Sequence, residues 1–216
     1  MKSILIIGMG RFAHHLCRNL SRLGNEIMIV DQDESQLQDL LPYVTGAQIG
    51  DCTNPDVLRG LGVSNYDICF VCTGSNFQSS LEITSQLKEM GAKYVVSKAV
   101  RELQAKFLLR NGADEVIYPE RDSAERAATR YSLDNIYDYI ELPGEYSFFE
   151  MRIPQSWDNK SIIELELRTR YGINVIGVRA GSGLHMMPRP DYKLQREDHL
   201  MVVGRDADIE KILKMK

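Results

Sequence analysis

The stretch ILIIGMGRFAHHLCRNL, residues 4–20, decides the fold. An apolar run ends at a glycine turn, and the chain continues into a segment whose apolar residues recur with helical spacing. Gly8, Gly10 and Ala13 fit the pattern G-x-G-x-x-G/A: Gly8 permits a tight turn, Gly10 lets the backbone approach a phosphate, and Ala13 permits close packing of helix on strand. This order predicts a dinucleotide-type site, with phosphate on the free N–H groups of the helix N-terminus.

Asp31 supports the same prediction. It ends the apolar run EIMIVD, about 20 residues after the turn, where an acidic side chain binds ribose hydroxyls in dinucleotide-binding folds. The alternative is an N-cap for the next segment, a role that Asp33 fits better. Because its carboxylate would repel a 2′-phosphate, Asp31 disfavours an NADP-type ligand. We expect the neighbouring Met9, Phe12 and Gln32 to complete this part of the site.

Arg11 is unusual for its position. A cation in the first turn of a helix opposes the helix dipole, so it needs a compensating anion or an escape to solvent. A side chain turned towards the phosphates of a ligand would meet that need, and a side chain pointing into water is the alternative.

Further candidates follow the later apolar runs. In a doubly wound sheet, ligands bind beyond the carboxyl ends of the strands. There Asp51 would accept a hydrogen bond from an adenine amino group, and Lys98 would meet a phosphate, although a turn or surface role is the alternative for each. The candidates at this rim are Asp51, Cys52, Thr73, Gly74 and Lys98.

Through the first half of the chain, six short apolar runs alternate with amphipathic segments. Strands flanked by Gly or Asp and alternating with helices indicate a parallel sheet covered on both faces. We therefore predict the α/β class, with a doubly wound, Rossmann-like parallel sheet. The predicted helices include residues 11–23, 35–41 and 77–90.

The pattern changes after Pro119. Residues 120–140, ERDSAERAATRYSLDNIYDYI, are predicted to be helical but are polar around most of the circumference, which is typical of a helix that bridges two bodies or two subunits. Beyond them we predict a second, smaller α+β lobe, with a hairpin within residues 179–191. Its other predicted elements are strands at 146–154, 173–180 and 199–204, a short helix at 162–170 and a last helix from residue 206. The predicted domains are 1–137, including the bridging helix, and 138–216.

Composition excludes several classes of protein. The 216 residues carry a net charge of −4, without the basic footprint of a nucleic-acid-binding protein, so we expect no DNA or RNA partner. The start does not resemble a signal peptide, and no apolar run approaches the roughly 20 residues that span a bilayer. We expect a cytoplasmic protein whose only membrane contact is through a partner.

The cysteines do not predict a disulfide framework or a metal site. Cys69 and Cys72 form a C-x-x-C pattern inside a buried strand, where residues three apart point to opposite faces of a sheet. The His14–His15 pair lies off the apolar stripe of its helix and indicates a solvated or interface face.

No catalytic constellation accompanies the nucleotide-type turn. The second lobe holds only His185 and His199, and the chain lacks a Tyr-x-x-x-Lys pair, a nucleophile elbow and a His-x-Glu metal site. The sequence therefore favours a binding protein over an enzyme. An NAD-dependent oxidoreductase with a small cap is the alternative, and a structural ring component with a vestigial site is a third possibility.

Five segments of the sequence, taken together, are specific for one family of proteins. In order and over essentially the whole chain, they resemble the RCK regulatory subunits of bacterial potassium uptake systems, the KtrA/TrkA family, which combine a TrkA-N and a TrkA-C domain. The segments are IIGMGRFAHHLCRNLSRLGNEIMIVDQD (6–33), GDCTNPDVLRGLGV (50–63), CFVCTGSN (69–76), GADEVIYPERD (112–122) and RTRYGINVIGVRAGSGLHMMPRPDYKLQREDHLMVVG (168–204).

The resemblance implies a gating ring, typically an octamer of dimers, docked under a KtrB/TrkH-like membrane potassium pore. It implies ATP and ADP as ligands, or NADH and NAD, whose differential binding switches the pore. By analogy, the charged helix after Pro119 is a crossover that swaps between subunits.

The resemblance also carries residue roles. It assigns Gly8, Gly10 and Arg11 to phosphate binding, with Arg11 reaching a neighbouring subunit's nucleotide, Asp31 to the ribose and Lys98 to phosphate. Two further assignments are Asp51 and Cys52 to adenine, and Glu120 to a divalent cation, Mg or Ca, near the phosphates at a subunit interface. For Glu120 the alternative is a carboxylate that favours its helix dipole. The chain departs from the family pattern at Ala13, where a third glycine is commoner, and at Asp33, where some relatives carry Asn.

In the second lobe, LRTRYGINVIGVR and MMPRP resemble the region where some family members bind cyclic di-AMP at a dimer interface. This partial match points to Arg168, Asn174 and Pro188 as residues that would bind a second ligand.

Overall fold

The computed structural model describes residues 1–73, 76–132, 136–142 and 144–215. The chain divides into two compact units between Arg121 and Asp122, within helix α5 (Pro119–Ser132). The boundary at 137 and 138 that the sequence predicts, which assigns all of this helix to the first domain, stays a prediction.

The first unit is built on a six-stranded parallel sheet with the order β3-β2-β1-β4-β5-β6. From β1 the sheet extends through β2 to β3 on one side and through β4 and β5 to β6 on the other, so the strand order reverses between β1 and β4. The strands are β1 (Ser3–Ile7), β2 (Glu26–Asp31), β3 (Gly46–Ile49), β4 (Ile68–Val71), β5 (Val95–Lys98) and β6 (Glu115–Ile117). The helices are α1 (Arg11–Arg22), α2 (Pro55–Leu61), α3 (Phe77–Glu89) and α4 (Glu102–Arg110), followed by the start of α5. The predicted doubly wound fold is confirmed.

Two apolar cores lie on the two faces of this sheet. Along β1, Ile4 and Ile6 belong to one core and Leu5 and Ile7 to the other, as expected for a strand covered on both sides. Cys69 packs into one of these cores and Cys72 into the other. All four cysteines are free and buried, so the prediction that the C-x-x-C pattern faces two ways is confirmed.

The helix predicted at residues 35–41 is wrong in type. The segment forms two short 3-10 helices, Glu34–Gln36 and Gln38–Tyr43. Pro42 has no N–H for an α-helical bond, which explains why a continuous α-helix does not form. Asp33 caps the first of these turns by accepting from the Ser35 amide, and these hydrogen bonds lower the pKa of the Asp33 carboxyl.

The second unit holds a five-stranded antiparallel sheet with the order β10-β9-β11-β8-β7. Its elements are β7 (Ile136–Glu141), β8 (Tyr146–Arg152), α6 (Ile162–Leu165), α7 (Leu167–Tyr171), β9 (Ile173–Ala180), β10 (Gly183–Met186), β11 (His199–Arg205) and α8 (Asp206–Leu213). One face packs on a core that contains Trp157, Met151 and Ile209. The smaller α+β lobe and the hairpin are confirmed.

One prediction in this region is wrong: the helix does not continue to residue 140. Residues 136–140 lie in strand β7, which pairs with β8. Isoleucine and tyrosine, which make up most of this segment, favour strands, and the Tyr139 ring packs 4.9 Å from that of Phe149 on the neighbouring strand.

A buried carboxylate joins three strands of the second sheet. Glu150 on β8 accepts hydrogen bonds from Arg179 Nε on β9 at 2.7 Å and Arg179 Nη2 at 3.1 Å, and its Oε1 lies 3.2 Å from Nδ1 of His199 on β11. Only 7% of Glu150 is exposed. The bond to Arg179, together with the His199 contact, holds the pKa of Glu150 below its ordinary value.

We expect Glu150→Gln to lower the free energy of unfolding by about 1–3 kcal/mol at neutral pH, because it removes the buried charge that Arg179 and His199 contact. Since folding lowers the pKa of Glu150, the ionised carboxylate stabilises the fold above its ordinary value of 4.5, and this contribution is lost as the pH falls through the folded value. Denaturant unfolding at neutral pH and below about pH 4 should therefore show the difference shrinking in acid.

The matched control is Glu166→Gln, which breaks the exposed pair with Arg170 and should change stability by less than about 0.5 kcal/mol. A penalty for Glu150→Gln that stays the same at every pH would contradict the role of its charge.

Candidate functional site

A cleft of about 690 Å³ opens at the carboxyl ends of β1, β2, β4 and β5, where the strand order reverses. Crevices at this position bind ligands in doubly wound sheets. The structure brings eight of the predicted residues together in its lining: Gly8, Met9, Gly10, Asp31, Gln32, Cys52, Thr73 and Lys98. Arg11, Phe12 and Asp51 do not line it, and Gly74 lies outside the described residues.

The two glycines of the turn have different structural requirements. Gly8 has φ +86°, and a Cβ on it would lie 2.8 Å from Thr73 Cγ2 and 3.0 Å from the Thr73 backbone nitrogen. Gly10, the N-cap of α1, has φ −72°, and a Cβ there would meet no protein atom within 4 Å. Gly8 is therefore needed for the fold itself, whereas the space at Gly10 is open to a ligand.

Asp31 connects the end of β2 to the glycine turn. Its Oδ2 accepts a hydrogen bond from the Met9 amide, and its Oδ1 accepts one from the Asp33 amide at 3.0 Å. These bonds hold the carboxylate at the rim of the cleft. Its role towards a ribose stays a prediction.

Lys98, Glu120 and Arg11 form a charged group beside the turn. Lys98 Nζ donates to Glu120 Oε1 at 2.7 Å and lies 5.8 Å from the centre of the Phe12 ring. The bond to Lys98 lowers the pKa of Glu120, and the charge of Arg11 contributes to the same shift. Glu120 thus supplies an anion near Arg11, whose own helix has no acidic residue in its first turn.

Asp51 serves the turn after β3. Its Oδ1 accepts from the Thr53 amide at 2.9 Å and the Thr53 hydroxyl at 2.7 Å, and these bonds lower the pKa of the carboxyl. Burial raises the pKa of the neighbouring Cys52 thiol to about 12, so this cysteine stays protonated. The roles of Asp51 and Cys52 towards adenine stay predictions.

The sequence reasoning missed the start of α3. Asn76 and Ser79 line the cleft, and the Asn76 side chain caps the helix by accepting from the Ser79 amide at 3.2 Å. A second helix N-terminus therefore reaches the cleft, in addition to that of α1. The signal was available in the sequence, because Asn, a favoured N-cap residue, stands directly before the helical pattern at residues 77–90. Other lining residues not singled out as ligands are Asp33, Gln36, Gly50 and Val100.

Within the described ranges, no three His, Cys, Asp or Glu side chains are grouped so that they could hold a metal ion. The role of Glu120 as a cation ligand stays a prediction.

A pocket of about 350 Å³ in the second unit brings together the three residues of the cyclic di-AMP prediction. Arg168 on α7, Asn174 on β9 and Pro188 after β10 all line it. Their roles in binding stay predictions.

Comparison with known proteins places this geometry in a family. A family model described as the TrkA-N domain matches residues 4–119, and one described as the TrkA-C domain matches residues 148–216. The chain belongs to the KtrA/TrkA family. The family resemblance read from the five motif segments is thus confirmed.

Two relatives of this KtrA/TrkA-family chain match it over nearly their whole length. It is 35% identical over 213 residues to the Ktr system potassium uptake protein C of Bacillus subtilis (strain 168), covering 99% of this chain and 96% of that protein. It is 33% identical over 210 residues to the Ktr system potassium uptake protein A of the same organism, covering 97% and 95% respectively.

Among solved structures, the GsuK channel bound to NAD is similar with a TM-score of 0.70 at 19% identity. The match covers 98% of this chain and 39% of that one, and it shows a shared fold. Of the helices that the structure describes, none is both long and apolar enough to cross a bilayer.

The two glycines provide a matched test of the turn. We expect Gly8→Ala to destabilise the fold by at least about 1–2 kcal/mol, because alanine would have to adopt a left-handed backbone conformation and its Cβ would overlap Thr73. Gly10→Ala should leave the melting temperature within a few degrees of the parent but remove binding of adenine nucleotides, measured by calorimetry. Unchanged nucleotide affinity in folded Gly10→Ala would show that phosphate does not bind at this turn.

Proposed function

We propose that this chain is a regulatory subunit of a potassium channel or transporter, which it switches by binding adenine nucleotides differently. One observation carries the proposal: the glycine turn of Gly8 and Gly10 opens into a cleft at the strand-order reversal, in a chain that matches Ktr uptake proteins along nearly its whole length. ATP and ADP are the favoured ligands, with NAD and NADH as the alternative pair.

In this proposal the phosphates bind at the start of α1, where Gly10 leaves open space and the helix end offers free N–H groups. Asp31 receives the ribose, while Asp51, Cys52 and Gln32 flank the adenine. Met9 and Thr73 form the walls. These contacts hold the part of the nucleotide that the two partners of each pair share.

To distinguish ATP from ADP, or NADH from NAD, the site needs residues that contact the part in which the two ligands differ. Lys98 is held by Glu120 in the structure, and a terminal phosphate would compete with that carboxylate for the ammonium group. Glu120, once released, would be available to a divalent cation, Mg or Ca, that also binds the phosphates. Arg11 is exposed and lies outside the cleft lining, which suits contact with the nucleotide of a neighbouring subunit.

A switch of this kind requires only differential binding. A ligand shifts an equilibrium between two ring shapes by its difference in affinity for them, and a ligand with equal affinity for both shifts nothing. No bond in the nucleotide need break, so the proposal includes no enzymatic step.

The assembly we propose is a homo-oligomer, a dimer that forms an octameric ring and contacts a KtrB/TrkH-like membrane pore on its cytoplasmic side. Helix α5 is the proposed crossover between subunits, since the described part of its surface is mostly exposed and charged. Mass spectrometry of small molecules released from the purified protein, together with its native mass, tests both parts. Adenine nucleotide in an octamer supports the proposal, whereas NAD in a dimer that turns over a nicotinamide cofactor would favour the oxidoreductase.

We expect Arg11→Gln to abolish the discrimination between ATP and ADP while retaining the affinity for adenosine. Loss of one charge-assisted hydrogen bond corresponds to about a ten-fold or greater loss in affinity for ATP alone. Calorimetric titration of the assembled protein with ATP, ADP and adenosine measures the effect. Arg22→Gln, in the last turn of the same helix, is the matched control and should change none of the three affinities. An equal loss for ATP and ADP would count against Arg11 as the phosphate sensor.

We propose cyclic di-AMP as a second ligand, supported by the pocket that Arg168, Asn174 and Pro188 share. Arg168→Gln should weaken cyclic di-AMP binding about ten-fold or more, because a guanidinium bound to phosphate is lost. Arg205→Gln, at the exposed end of β11 and outside this lining, should leave the binding unchanged. Equal effects of the two substitutions would point to nonspecific attraction of charge.

A further inference from the structure

A third cavity, in the second unit, has no role in either proposal. It measures about 400 Å³ and lies at the end of β8, the start of β11 and the end of α8. We call it the basic pocket, and its lining is Arg152, Ile153, Pro154, Gln155, Arg196, Glu197, His199, Ile212, Leu213 and Met215. We propose that it binds a small organic anion, a phosphate monoester or a carboxylate on a short apolar body.

The lining of the basic pocket carries more positive than negative charge. Two guanidinium groups, from Arg152 and Arg196, line the pocket with one carboxylate, from Glu197. Among the described residues, neither arginine forms an ion pair in the structure. Arginine groups of this kind bind phosphate and carboxylate oxygens through two parallel hydrogen bonds.

Strand register places two residues of the basic pocket side by side. Arg152 on β8 lies directly opposite His199 on β11, so two basic side chains occupy one cross-strand pair. The side chains of residues paired in this way lie about 5 Å apart, so both can contact one ligand. An anion bound beside this pair would accept hydrogen bonds from Arg152 next to the His199 ring.

Neighbouring side chains hold the polar groups of the basic pocket in place. His199 is stacked on Tyr137, with ring centres 3.7 Å apart and planes 15° apart, and its Nδ1 lies against the buried Glu150 carboxylate. The Tyr137 hydroxyl also accepts a hydrogen bond from Arg152 Nη2 at 3.1 Å. Groups that are held in place before binding lose less entropy when a ligand arrives.

Apolar residues line the rest of the basic pocket and suit the uncharged part of the ligand. Ile153, Pro154 and Ile212 are buried beside the basic groups, and Leu213 and Met215 extend the apolar surface. The volume falls within the range of about 300–1,000 Å³ that is usual for small-molecule sites. An anion with an apolar body fits such a wall better than inorganic phosphate does.

Phenyl phosphate is a suitable probe, titrated by calorimetry against the full-length protein. We expect Arg152→Gln and Arg196→Gln each to weaken its binding about ten-fold or more, and inorganic phosphate to bind more weakly than phenyl phosphate. Arg170→Gln removes the same group from elsewhere in the unit and should have no effect. Binding of the probe at the nucleotide cleft would not respond to these substitutions, and melting temperatures verify that each variant is folded.

The proposal is overturned if neither phenyl phosphate nor benzoate binds, or if the affinity for the one that binds is the same in the parent and in both arginine variants. Benzoate in place of phenyl phosphate separates carboxylate from phosphate recognition, and binding of either supports the site. Vesicles with and without phosphatidic acid test a lipid source of the same chemistry. Arginine-dependent binding to the anionic vesicles without binding of phenyl phosphate or benzoate would overturn the assignment to a small soluble ligand.

Discussion

The close approach of Gly8 to Thr73 is the constraint on which the nucleotide-type cleft depends. The turn after β1 passes so near the end of β4 that a single added carbon would overlap it. On its other side, the Gly8 amide donates to the Val30 carbonyl at 2.9 Å, which ties the turn to β2. The turn is thus held between the strands on each side of β1, and the start of α1 is directed at the reversal of strand order. Asp31 adds a further bond to the Met9 amide, so contacts within the protein fix the backbone of the turn.

The charged group beside this turn has a different character. Lys98 is largely buried, with 13% of its side chain exposed, whereas Glu120 is 59% exposed. A phosphate that competes for the lysine would therefore release a carboxylate that water can readily solvate. In the proposed function, this asymmetry would lower the free-energy cost of exchanging the carboxylate for a phosphate, and the cleft would thereby respond to the charge of its ligand.

In the second unit, one buried carboxylate both joins strands and orders the side chains of the basic pocket. Glu150 binds Arg179 on one side and orients His199 on the other. The same His199 ring then stacks on Tyr137, which in turn holds Arg152. The stability of the sheet and the order of the basic pocket therefore depend on the same residues, so a substitution at Glu150 affects both.

The sequence by itself determined the parts whose signals are local. The strand, glycine turn and helix at residues 4–20, the acid at the end of β2 and the six alternating strands follow from periodicity and from the conformational demands of glycine. Only the tertiary structure decided which distant groups meet. The strand at residues 136–141, the Lys98–Glu120 pair and the opposition of Arg152 and His199 depend on strand pairing and packing between segments far apart in the chain. Side-chain partners of that kind have no signal in local periodicity, because register and packing select them only once the sheets have formed.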